Sequence, residues 1–378
     1  MQIQNHRVCT LGATLALALC PATSIAQETV PELTGTVAFN VESASGRVER
    51  LAVTIGDGGT GQYTAILMGE PSLPTHAIYR PRDLRPFGGR NLLPIVAFGN
   101  GGCRNTSGEF RNFLSDVASQ GFLVVAIGPA GNAVVMGSEE RTNTTAASQL
   151  LDAVTWATAE NARAGSAYFQ KLDVTKVAVS GQSCGASQAI EVSSDPRVTT
   201  TIALNQGINI GTGGRGQNPA APAAPSAPGT EANRGGAGRG GATPVRDARY
   251  APHAPPLVRA PSDAAVPGPT GANRAEMLQK LHGPILFLNG GPNDSGHRTA
   301  KANFEAIQNV PAVHAHEDVG HYPATYRQPN GGDFAKVAGS WLKWQLKGDL
   351  TAAKMFVGSS CGLCTDPKWT IERKRLPN

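Results

Sequence analysis

Between about Leu92 and Leu346 the chain alternates short apolar runs with amphipathic stretches. Pro94–Phe98 and Phe122–Ile127 are continuous apolar runs of strand length, as expected of strands buried on both faces. Between them Phe110, Phe113, Leu114, Val117 and Ala118 recur at helical spacing, and Gly121 is placed to end that helix. A second helix is expected over about Thr145–Asn161, followed by a strand at Lys176–Val179 and a helix at Ala186–Val192. The alternation goes on through a strand at Thr201–Leu204, a helix at Ala275–Leu281 and a strand at Ile285–Asn289. A helix at Ala300–Ile307, a strand at Ala312–His316 and a long helix over Gly332–Leu346 complete it, the last with Val337, Trp341, Leu342 and Trp344 as apolar positions. Strands alternating with helices predict an α/β fold with a mostly parallel central sheet flanked by helices.

Ahead of this region Thr36–Val41, Val48–Ile55 and Tyr63–Met68 read as strands. The loop Gly56–Gly61 fits GxGxxG by letter, but Tyr63–Leu67 after it is strand-like where a nucleotide motif needs a helix. It predicts a hairpin loop.

Two segments break the pattern. At the start, His6 and Arg7 precede an apolar run from Val8 to Leu19, and Ser24-Ile25-Ala26 supplies a small-x-small cleavage site. The run is short for a membrane span, so residues 1–26 are expected to be a cleaved signal peptide and 27–378 the exported domain. Residues 211–270 hold 11 Gly and 11 Pro, with six Arg against three acidic residues. Such a composition buries too little apolar surface to offset its ordering entropy, so it predicts a low-complexity, disordered insertion within one domain.

Export changes how the cysteines read. Cys103, Cys184, Cys361 and Cys364 remain after cleavage, an even number that suggests disulfides with three possible connectivities. One CxxC without a histidine at finger spacing is a weak zinc signal, and no metal or cofactor is expected. A net charge of only +5 with no long basic run argues against a nucleic-acid partner.

The densest chemical signal is Val177-Ala178-Val179-Ser180-Gly181-Gln182-Ser183-Cys184-Gly185-Ala186. A strand meets Gly-x-Ser-x-Gly and a helix follows, the pattern of a nucleophile elbow that leaves Ser183 exposed on a strained corner. A serine hydroxyl needs a base held by a third group, and on a parallel sheet both partners belong in loops after later strands. Asp294 follows the strand Ile285–Asn289, and His321 follows the strand ending near His316. They are the candidate acid and base. His314 and His316 share one strand face and read as packed or surface residues; His297 and Asp318 are weaker competitors, and no carboxylate follows Thr201–Leu204. The oxyanion of such a reaction needs two backbone N–H donors. Cys184 supplies one, and the glycine-rich loop Gly99-Asn100-Gly101-Gly102-Cys103 offers Cys103 or Gly102 as the other.

On these residues the chain resembles an α/β-hydrolase of the dienelactone-hydrolase and bacterial cutinase (PET-hydrolase-like) branch of secreted serine esterases. The resemblance runs from about Pro94 to Phe356 around the insertion, which then follows that fold's sixth strand. It is carried by Ala118-Ser119-Gln120-Gly121-Phe122, by GQSCG, by Asn293-Asp294-Ser295, by Gly320-His321-Tyr322, and by Trp341-Leu342 with Lys347-Gly348-Asp349. That family's spacing, 18 residues back from Gly121, makes Cys103 the loop donor. The resemblance implies an exported or periplasmic serine esterase acting on a small-molecule ester, with no membrane span and no cofactor. A binding protein with an inactive hydrolase fold and a polyesterase are the alternatives. Polyester-cleaving members clamp aromatic units with rings at positions matching Gln182, Cys103 and about Gln206, which here imply a pocket for small soluble esters.

If both donors aim at one oxyanion, Cys103 and Cys184 fall within reach of a disulfide, and Cys361 is then left to pair with Cys364 across a short ring.

Overall fold

The computed structural model describes residues 32–33, 52–134, 145–210 and 271–377. The expected signal peptide over 1–26, the strand over Thr36–Val41, the start of Val48–Ile55 and the insertion over 211–270 lie outside them.

Among the described residues one sheet holds eleven strands: β1 (Glu32–Leu33), β2 (Ala52–Val53), β3 (Ala65–Gly69), β4 (His76–Pro81), β5 (Leu93–Gly99), β6 (Leu123–Ile127), β7 (Leu172–Gln182), β8 (Val198–Leu204), β9 (Ile285–Asn289), β10 (Ala312–Glu317) and β11 (Trp369–Lys374). Their order is β1-β2-β3-β4-β6-β5-β7-β8-β9-β10-β11. From β6 to β10 all neighbours run parallel; β2, β3, β4 and β6 pair antiparallel, and β11 closes the far edge antiparallel to β10. The mostly parallel α/β architecture expected from the alternation is present. The loop from Gly56 to Gly61 joins two antiparallel strands, as its sequence context predicts.

Alternation along each strand divides the core into two layers. Val96, Phe98, Val124, Ala126 and Ala178 face one way, onto helices α1 (Arg111–Ser119) and, further along the chain, Gly332–Lys347. Ile95, Ala97, Val125, Val177 and Val179 face the other way, onto Leu150, Ala153, Val154 and Ala157. Those last four belong to α3 (Ser148–Ala162), which follows the short α2 (Ala130–Val134). On the same side, α4 (Cys184–Val192), α5 (Gly271–Gln279) and α6 (His297–Ala306) cover Ala203, Ile285, Phe287 and Ala312; the long helix Gly332–Lys347 is α7. Helices on both faces explain why the parallel strands read as unbroken apolar runs. Trp341 of α7 is fully buried, and its indole N–H donates to Thr200 Oγ1 at 2.9 Å, so the largest core side chain keeps its polar atom paired.

Several elements have no counterpart in the periodicity, β4 and β11 among them. Strand β4 carries His76 and Arg80 as buried polar residues, and β11 alternates poorly because it is a half-exposed edge.

Candidate active site

Parallel strands end with their carboxyl ends on one side of the sheet, and the loops gathered there hold the candidate residues. At the end of β7, Ser183 has φ 54° and ψ −115°, a left-handed backbone that side-chain-bearing residues rarely adopt. The turn is enforced by close backbone approach on both sides. A Cβ on Gly185 would lie 2.1 Å from the carbonyl oxygen of Gly99, and one on Gly181 would lie 2.4 Å from the backbone of Gly185. Only glycine fits either place.

Ser183 Oγ stands 2.9 Å from His321 Nε2, and His321 Nδ1 stands 2.6 Å from Asp294 Oδ1. A buried carboxylate only accepts, so Nδ1 carries the imidazole proton and Nε2 is the acceptor for the Ser183 hydroxyl. The loops bearing His321 and Asp294 are braced against each other. The N–H groups of Val319 and Gly320 both donate to Gly290 O, at 3.1 and 2.7 Å, and a Cβ on Gly290 would lie 1.8 Å from Gly320 O.

Asp294 is buried and fully bonded. Oδ1 accepts from His321 and from the N–H of Gly296 at 2.8 Å; Oδ2 accepts from the N–H of Gly290 and from Asn205 Nδ2, both at 2.9 Å. Burial pushes its pKa up, but these donors outweigh it, His321 first, and hold the carboxyl below its ordinary value. Asp318, the competing acid, accepts instead from Asn293 Nδ2 at 3.0 Å. His297 begins α6, and its N–H donates to Asp294 O at 3.0 Å.

Two residues that the sequence reading passed over complete the support. Asn205, with φ 55° directly after β8, donates to Asp294 and accepts from the Tyr326 hydroxyl at 2.6 Å. Both are buried. No carboxylate follows Thr201–Leu204, and an amide that holds the carboxylate of the next loop leaves no mark in the sequence.

The candidate oxyanion loop lies beside the elbow. Gly101–Cys103 form a single 3₁₀ turn, with Gly102 at φ 63° and Cys103 at φ 50°, closed by the Arg104 N–H on Gly101 O. Cys184 is the first residue of α4, so its N–H has no intrahelical acceptor; the next N–H, of Gly185, donates to Asn100 O at 3.1 Å. Cys103 and Cys184 stand at disulfide distance, their Cα atoms 5.2 Å apart. Cys361 and Cys364 do likewise at 4.9 Å, after α7.

Gln182 departs from its expected place on a pocket wall. It is fully buried, its amide donates to His321 O at 3.0 Å, and its Oε1 packs against Gly101. A buried amide beneath the histidine loop braces that loop. Gln206 is half-buried, beside Gly296 of the acid loop, and accepts from the N–H of Gly207. On the rim, Tyr322 is 42% exposed next to an ion-pair cluster in which Glu109 meets Arg327 at 3.1 Å and Arg104 at 3.8 Å. Burial of its ring raises the Tyr322 hydroxyl to about 12.

Among the described residues no group of His, Cys, Asp and Glu side chains is arranged to hold a metal ion, and no helix is long and apolar enough to cross a membrane. Comparison with models of known protein families returns no match, and comparison with curated proteins returns none either.

Proposed function

We propose that this chain is a serine esterase of the α/β-hydrolase kind, akin to the dienelactone-hydrolase and cutinase branch, exported after loss of residues 1–26. The observation that carries the reading is the unbroken chain from Ser183 Oγ through His321 to Asp294, at 2.9 and 2.6 Å, on a backbone corner with φ 54°. A strained turn that presents a serine to an imidazole already oriented by a carboxylate serves nucleophilic catalysis and has no evident structural use.

In this mechanism Ser183 Oγ attacks the ester carbonyl carbon while His321 Nε2 takes the hydroxyl proton. Asp294 fixes the tautomer and stabilises the imidazolium. The tetrahedral oxyanion accepts from the N–H of Cys184 and from that of Cys103, with Gly102 as the neighbouring donor. His321 returns the proton to the leaving alcohol, and an acyl-enzyme remains on Ser183. Water, deprotonated by the same imidazole, then releases the acid. The substrate is a small or medium soluble ester, because the positions that carry stacking rings in polyester-cleaving relatives hold buried Gln182, half-buried Gln206 and the tied Cys103.

A fluorophosphonate probe tests the reading directly. Peptide mapping of the labelled protein is expected to place the phosphonate on Ser183, and p-nitrophenyl butyrate turnover is expected to vanish in Ser183→Ala with folding intact. A folded protein that neither takes the label nor hydrolyses short esters overturns it.

A further inference from the structure

The cysteine pair beside Ser183 ties together the two segments on which the esterase reading depends. Cys103 ends the turn after β5 and Cys184 opens the helix after β7; the two strands are neighbours, with Gly99 opposite Gly181. The residues are 81 apart in sequence, so nothing local fixes their distance. Cys103 also sits at φ 50°, a backbone that a residue with a Cβ leaves unless its surroundings hold it. Two tethers hold it. Its carbonyl oxygen accepts from Thr145 N–H at 3.0 Å and Thr145 Oγ1 at 3.1 Å, and its side chain reaches Cys184. The Thr145 bonds fix the carbonyl side of the residue. The sulfur tether connects the loop to the helix whose first N–H is the other candidate donor.

We infer that the Cys103–Cys184 disulfide is a positioning device that sets the spacing of the two oxyanion donors, so that turnover depends on the thiol state of this pair. The inference rests on the esterase reading and adds to it a regulation by small dithiols. Cys103 is 7% exposed and Cys184 half-buried, so Cys184 is the more accessible residue of the pair and its sulfur is the one assigned to the attack. A dithiol thiolate attacks Cys184 Sγ, and the Cys103 sulfur leaves with the bond's electron pair and takes up a proton. The second thiol of the reagent then displaces Cys184 Sγ as a thiolate, which is protonated in turn. Two electrons and two protons pass to the protein, and the reagent departs as a cyclic disulfide. With the sulfur tether gone, the loop keeps, among the described residues, only the Gly185 N–H bond to Asn100 O toward the helix; Cys103 relaxes from its left-handed backbone, and its N–H turns away from the site where charge develops. That N–H holds a developing oxyanion more strongly than a neutral ester carbonyl, so the loss falls mainly on kcat.

The experiment uses the full oxidised chain with p-nitrophenyl butyrate, before and after dithiothreitol, alongside Cys103→Ser/Cys184→Ser and Cys361→Ser/Cys364→Ser double variants, with thiol titration and circular dichroism at each step. Reduction is expected to lower kcat by about tenfold or more, a fraction of what losing a whole oxyanion donor costs, with KM within about twofold. Reoxidation restores it. The Cys103→Ser/Cys184→Ser protein is expected to start low and ignore the reductant, and the Cys361→Ser/Cys364→Ser protein to respond like the wild type. Unchanged kcat in an active enzyme whose Cys103 and Cys184 titrate as thiols overturns this inference alone, as does a fall confined to KM or one that tracks loss of folded signal. An oxidised wild type without turnover overturns the esterase reading, and this inference with it.

Discussion

Asn205 gives its side-chain amide to Oδ2 of Asp294 at 2.9 Å while its own Oδ1 takes the Tyr326 hydroxyl at 2.6 Å. The carboxylate that orients His321 is thus held from a third loop as well as from its own. Replacing Asn205 by Ala strips Oδ2 of one of its two donors and leaves a buried tyrosine hydroxyl without its acceptor. Stability is expected to fall by about 1–3 kcal/mol, the cost of an unpaired buried polar group. Turnover is expected to fall by about tenfold as Asp294 gains freedom, because small displacements in a positioned site are costly. Urea denaturation and ester kinetics check the two effects separately; unchanged kcat would show that Gly290, Gly296 and His321 alone fix the carboxylate.

Asp294→Asn tests the acid itself. An amide in that place offers an N–H to His321 Nδ1 and so favours the tautomer that carries its proton on Nε2, where it cannot take one from Ser183. Comparable acid-to-amide changes cost about 10⁴ in kcat. Near-normal turnover in Asp294→Asn, measured at neutral pH, would remove Asp294 from the role and turn attention to Asp318, whose carboxylate now accepts from Asn293.

Much of this was open to reading in the chain itself. Unbroken apolar runs such as Pro94–Phe98 could only be doubly covered strands, and β5, β7 and β9 extend or match those runs. Ser183, Asp294 and His321 were legible because each lies in a loop directly after a strand, and the structure brings the three side chains together. What stayed hidden is what local pattern does not encode. Strand β4 carries His76 and Arg80 in buried positions, so its polar letters masked it. Asn205 and Tyr326 meet across 121 residues, a contact that no spacing rule reaches. Gln182 turns under the His321 loop, because a place beside Ser183 in the sequence does not say which way a side chain points.

A cluster of three imidazoles makes stability depend on pH. His297 at the start of α6 and His314 and His316 of β10 have ring centroids 4.8–5.7 Å apart, with Glu372 of β11 facing His314 and itself bonded to Lys301, and with Asp318 near His316. Burial, then the neighbouring His297 and His316, push His314 down to about 4; the Glu372 charge only partly opposes them. The folded state therefore binds this proton less tightly than the unfolded chain. Above about pH 7 both states are neutral and nothing is lost. As pH falls through 6.5 toward 4 the unfolded chain takes the proton first, and stability declines by an amount on the order of 3 kcal/mol. Urea midpoints at pH 8 and pH 5 are expected to show this decline in the wild type and a smaller one in His314→Phe. An equal decline in both proteins would assign the acid sensitivity to other groups.

Gly185 is expected to be the least replaceable glycine of the elbow, and Gly131 offers a matched control. A Cβ at 185 would sit 2.1 Å from Gly99 O and 2.2 Å from Gly99 C, both backbone atoms of a central strand. Relief requires β5 to move away from α4, and β5 is paired on both sides, with β6 and β7. The same displacement would pull the Gly185 N–H off Asn100 O and shift the turn that holds Cys103. Overpacking of this kind costs about 3 kcal/mol, so Gly185→Ala is expected to lower the urea midpoint sharply and to abolish turnover in whatever fraction folds. Gly131 lies within α2 with nothing inside 4 Å of its would-be Cβ, and alanine there removes backbone freedom from the unfolded chain. Gly131→Ala is expected to be neutral or stabilising by up to about 1 kcal/mol. Similar midpoints for the two variants would mean that the approach of Gly185 to Gly99 yields easily, and that the corner at Ser183 is not held by close backbone contact.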